Sequence, residues 1–118
     1  MNIQKLAKLF AVVFILVGIL GFVPGVTSGG MLLGIFEVNA LHNIIHLATG
    51  LIALWAASST TNARLFFKVF GLVYALVTAL GFVMAGDVLG LIMVNFADNL
   101  LHLVISVVAL YAGFMAKE

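Results

Sequence analysis

Asn39, His42, Asn43 and His46 stand at i, i+3, i+4 and i+7, and Asn95, Asp98, Asn99 and His102 repeat that spacing. On an α-helix this pattern places each quartet on a single face. Two chemistries follow from these residue types. An i, i+4 pair of imidazoles can share a metal, and His42, His46, Asp98 and His102 together suit a zinc-like or other first-row transition ion. Asn43 and Asn99 would then orient the ligands from outside. His46 and His102, the two deepest, could instead hold haem or another pigment. With no ligand at all, the same side chains could hydrogen-bond between helices, His to Asn or His to Asp, which fixes helix pairing in lipid.

Position along the helix separates these roles. Asn39 and Asn95 are natural N-caps, and Asp98 resembles the acid of a capping box, favoured further by the helix dipole. His46 and His102 lie about 10 Å further along, beyond the reach of any cap. The chain has no cysteine, so thiolate sites and disulfides are excluded. No nucleotide loop and no nucleophile paired with a base is present, so no enzyme is expected.

The elements that carry these faces are apolar throughout. Of 118 residues, 65% are hydrophobic and 8% charged, far from the roughly 45–50% and 25% of soluble domains. Four apolar runs, Leu6 to Val23, Asn39 to Ala57, Leu65 to Ala85 and Asn95 to Met115, approach the roughly 20 residues needed to cross a bilayer. The expected fold is all-α, a bundle of four transmembrane helices forming one integral membrane domain over residues 1–118. The expected surroundings are the lipid bilayer, with other membrane subunits or self-association as further partners. A net charge of +1 gives no case for nucleic acid.

The chain also repeats itself. Shifted by 60, Lys8–Val23 matches Lys68–Val83 at nine of sixteen positions; shifted by 56, Leu33–Ala57 matches Leu89–Gly113 at ten of twenty-five. The reading is a two-helix unit present twice, over about residues 6–57 and 65–115. A unit that crosses twice returns to its starting side, so the two copies are parallel rather than inverted. Helices two and four become equivalent, and their polar rows can face each other.

Lys5 and Lys8 before an apolar run and "PGVTSGG" resemble a secretory leader. The first run nevertheless has a counterpart later in the chain, which favours its retention. The five basic residues, Lys5, Lys8, Arg64, Lys68 and Lys117, fall at the two termini and the second connection. By the positive-inside rule this places both termini in the cytoplasm, with the protein in the cytoplasmic (inner) membrane.

Small residues recur at helical spacing: Ala11, Gly18, Gly21 and Gly25; Gly71, Ala75, Thr78 and Ala85; Gly50, Ala53 and Ala57; Ser106, Ala109 and Gly113. These are expected packing seams. "LLGIFEV" and "VLGLIMV" are too apolar for exposed loops and are expected to fold over the polar rows, with Glu37 at the rim of a closed pocket. Trp55 and Tyr111 read as interface anchors.

"GILGFVPG", "LLGIFEVNALHNIIHLATG" and "VNFADNLLHLVIS", in that order, resemble the bacterial family catalogued as domain of unknown function 4383 over nearly the whole chain. The resemblance implies a small four-helix membrane protein of prokaryotes and no particular activity. The family's polar motifs fall on Asn39, His42, Asn43, His46, Asn95, Asp98, Asn99 and His102. The expectation from all of this is a structural or accessory membrane protein, without a cofactor. A metal- or haem-binding protein is the alternative, and a small transporter or proton pathway has less support, because below Thr49 and Ser106 no larger polar side chain continues the row.

Overall fold

A computed structural model describes residues 2–84 and 86–117. Four helices form, α1 (Ile3–Leu20), α2 (Ala40–Ala56), α3 (Thr60–Val83) and α4 (Phe96–Leu110), the last continuing into a single π-helical turn, Tyr111–Met115. α1, α3 and α4 with its π turn are each long and apolar enough to cross a membrane, while α2 is a shorter apolar helix. Their outward faces carry Leu9, Val12, Leu16, Leu72, Leu76, Val104 and Val107, all exposed, whereas the buried set includes three histidines, two asparagines and an aspartate. That inversion of the soluble pattern is the arrangement lipid demands, because hydrocarbon offers polar groups no partners.

Local chemistry sets the helix ends. Asn2, Asn39, Ser59 and Asn95 each accept a hydrogen bond from a backbone amide in the first turn of the helix that follows. The Ser59 cap starts α3 at Thr60, ahead of the apolar run that begins at Leu65, so the connection from α2 is tight.

The helices carry the fold as expected, and the α1–α2 and α3–α4 connections add short two-residue strands. β1 (Thr27–Ser28), β2 (Met31–Leu32) and β3 (Phe36–Glu37) form one antiparallel sheet, and β4 (Asp87–Val88) and β5 (Ile92–Met93) form a second. The cause is a shared turn. Leu33 and Gly34 have φ of 55° and 70°, and Leu89 and Gly90 have 55° and 71°, the two consecutive positive values of a type I′ hairpin turn. A leucine in that region costs about 1–2 kcal/mol. The sequence signal was Leu-Gly between short apolar stretches, read as a folded-over loop rather than as strands.

α1 packs chiefly along α2 and α3 along α4, and contacts between these two hairpins are sparser. At the end carrying the termini the core is mostly alanine: Ala7, Ala11, Ala53, Ala56, Ala57, Ala63, Ala109 and Ala112, with Phe66 and Phe67 filling the centre. Backbones approach closely there. A Cβ added to Gly50 would lie 2.8 Å from the Ile15 nitrogen, and one on Gly113 would lie 2.7 Å from that of Lys68. Of the small residues read as seams, Gly25 is exposed in the turn after α1 and Ala75 is half-buried. Ala85 lies outside the described residues.

Both helix C-termini at this end are held by side chains from the helix before them. Gln4 donates to the Ala57 carbonyl at 3.1 Å. Arg64 donates to the carbonyls of Ala112, Gly113 and Ala116 at 3.2, 3.2 and 3.0 Å, serving acceptors that a helix end leaves without partners. Gln4 and Arg64 are 60 apart, and Ala57 and Gly113 are 56 apart.

Candidate functional site

The polar end is sealed by contacts that cross from one hairpin to the other. Asn39, besides capping α2, donates from Nδ2 to the Leu91 carbonyl at 3.1 Å. Asn95, besides capping α4, donates from Nδ2 to the Ile35 carbonyl at 2.9 Å. Donors and acceptors are each 56 apart, so the two bonds are reciprocal. Each helix start grips the β-turn of the other half.

The next positions on the helices follow the same exchange but differ in chemistry. His42 Nδ1 lies 2.8 Å from the Met93 carbonyl; since a carbonyl can only accept, Nδ1 holds the proton and Nε2 keeps a free lone pair. Asp98, at the equivalent place, accepts from the Asn95 amide at 2.9 Å, completing a capping box. Glu37, half-buried on β3, is electrostatically coupled to it. The carboxylate is thereby held between its own helix start and the Glu37 backbone of the opposite half.

Asn43 and Asn99 do not bridge α2 and α4. Their side-chain oxygens lie against Gly21 and Gly81, where any Cβ would collide with them. Each asparagine is thus seated on the preceding helix of its own hairpin. Both Oδ1 atoms are buried with no hydrogen-bond partner. The interhelical His-to-Asn bonds expected from sequence are absent among the described residues.

What does converge is a trio of histidines. His42, His46 and His102 are 1%, 5% and 2% exposed, with ring centroids 4.5, 5.6 and 6.0 Å apart. One nitrogen from each ring lies within 4.8 Å of the other two. Nε2 of His42 and Nδ1 of both His46 and His102 are buried without a partner. Orphaned groups of this kind each cost about 1–3 kcal/mol and call for an explanation. Asp98 is not part of the trio.

Aromatic rings hold the trio in place. Phe14 meets His46 edge-on at 5.6 Å, and Tyr74 meets His102 at 5.5 Å. Tyr74 also hydrogen-bonds Thr49 at 3.1 Å. Sequence reasoning passed over Tyr74. Its signal was the shift of 60, which sets it opposite Phe14, a polar departure between otherwise matching apolar positions.

Two apolar crevices flank the histidines. One, of about 150 Å³, runs between α1 and α4 past Phe10, Phe14, His46 and Ile105. The other, of about 160 Å³, lies between α2 and α3 and reaches His42, His46, His102 and Tyr74. Both fall below the roughly 300–1,000 Å³ that encloses a drug-sized ligand, which argues against a macrocycle such as haem.

A family model described as "Domain of unknown function (DUF4383)" matches residues 4–115. The chain belongs to this family. No curated protein and no solved structure matches it. Membership in the family brings no activity with it, so the reading of the site rests on the geometry above.

Proposed function

We propose that this member of the family is a non-enzymatic multi-pass membrane protein of structural or accessory type, built from two parallel copies of a helical hairpin. The observation that carries the reading is the reciprocal clasp, Asn39 on Leu91 and Asn95 on Ile35. It ties the two halves together at the end where the polar rows begin, and so supports an integral scaffold over a solute path. The apolar outer faces suit lipid or the helices of another membrane subunit. The basic residues favour the cytoplasmic (inner) membrane with both termini cytoplasmic.

Topology and role have separate tests. The absence of native cysteine allows single-cysteine labelling in intact cells. Ser58→Cys should react only when the cytoplasmic side is opened, and Gly29→Cys should react from outside; the reverse pattern overturns the orientation. For the accessory role, crosslinking in native membranes followed by affinity capture should recover a larger membrane subunit in stoichiometric amount. Recovery of this chain alone, or with copies of itself alone, refutes it.

A further inference from the structure

The hydrogen bonding described so far leaves the middle of the molecule without a purpose. Three imidazoles are buried together, each with a nitrogen that has neither a protein partner nor access to solvent. A cluster kept only to pair helices would turn those nitrogens toward donors. Asn43 and Asn99 are the nearest amides in sequence, and their oxygens sit on glycine backbone instead.

We propose that His42, His46 and His102 bind one first-row divalent transition ion of the zinc class, in a three-imidazole site with an open fourth position. Four features of the structure fit such an ion. One nitrogen from each ring lies within 4.8 Å of the other two, so the rings already converge on a space where an ion held at the roughly 2.0–2.1 Å of zinc–imidazole bonds could sit. An ion among the three rings would give partners to imidazoles that each carry a buried nitrogen without one. The His42 Nδ1 proton is committed to the Met93 carbonyl at 2.8 Å, the outer contact that fixes tautomer and ring direction in metal-bound histidines. The donors of the trio are all imidazole nitrogens, and the chain has no cysteine thiolate, which suits zinc, cobalt, nickel or copper(II) over soft ions.

The position of Asp98 bears on the charge of the site. Its carboxylate is held by the Asn95 amide and stands apart from the trio, so three neutral imidazoles leave a bound ion with its full double charge. An anionic or strongly polar fourth ligand, such as hydroxide, would offset that charge in a low-dielectric setting. Room for it exists in the crevice lined by Ile45, Thr49, Phe70, Tyr74 and Ile92.

The probe is Co²⁺ added to the full chain in detergent, followed by displacement with Zn²⁺. One equivalent should bind, with the visible absorption of a four-coordinate ion, and Zn²⁺ should bleach it. Acidification should release the ion, because protons compete for the same nitrogens. His46→Gln and His102→Gln should each weaken binding by more than 100-fold. X-ray absorption on the zinc-loaded wild-type protein should show about three imidazoles at roughly 2.0 Å, a readout that stands even where a variant fails to fold. Absence of stoichiometric binding at micromolar Co²⁺ or Zn²⁺, binding unchanged in folded variants, or a coordination shell of oxygen with fewer than two imidazoles overturns the proposal.

Discussion

The two halves of the molecule make matching contacts at several corresponding positions and differ most plainly in chemistry at one pair. Asn39 and Asn95 cap and clasp alike, Asn43 and Asn99 rest on equivalent glycines, and Leu33 and Leu89 share one strained turn conformation. His42 and Asp98 occupy matching places and do different things. His42 donates to the opposite half and keeps a buried nitrogen without a partner; Asp98 accepts from its own helix start and lies against the Glu37 backbone of the opposite half. Matching contacts thus build the frame, whereas the differing pair puts an imidazole and a carboxylate at equivalent places.

The strongest way to break this comparison is to alter the differing pair. His42→Asn should reduce Co²⁺ binding by more than the roughly 10–100-fold that loss of an outer partner costs. Asp98→Asn should leave binding within a few-fold while weakening the capping box, and titration followed by visible absorption separates the two. Equal losses in both variants would contradict the division of roles.

The glycine seats come next. Gly21→Ala and Gly81→Ala each put a methyl where the Asn43 or Asn99 oxygen lies, and overpacking of this sort costs about 1–3 kcal/mol. Unfolding in mild detergent by added SDS should show similar losses in both variants. A loss confined to one would show that the halves bear load unequally.

Asn39→Ala and Asn95→Ala remove a cap, worth about 0.5–2 kcal/mol, together with a clasp bond. Each should lower stability in the same unfolding assay by about 1–2 kcal/mol. Because the two bonds close the same end, the double variant should depart from additivity. The smallest effect expected is a gain. Leu33→Asn and Leu89→Asn place a residue tolerant of positive φ in the turn, and each should stabilise by up to about 1 kcal/mol.

Much of this architecture was legible in the chain. Hydropathy gave four helices, because a helix in lipid must be apolar over a fixed length. In the structure Gln4 and Arg64 each serve a helix C-terminus, and Asn39 and Asn95 each cap and clasp. Asn39, Asn95 and Asp98 were readable as capping residues because capping is a local, few-residue interaction. The strands escaped notice, since two-residue pairings leave almost no periodic signal.

The sequence by itself determined which side chains share a face, since helical periodicity alone fixes that. It offered Asp98 both as a capping acid and, with His42, His46 and His102, as a ligand, and left the alternatives open. Tertiary structure set their surroundings: the opposite half presents the Met93 carbonyl to His42, the Asn95 amide and Glu37 backbone meet Asp98, and the asparagine oxygens lie on Gly21 and Gly81. Those choices depend on which backbone group from a distant segment arrives within hydrogen-bond reach, and no spacing along one helix encodes that.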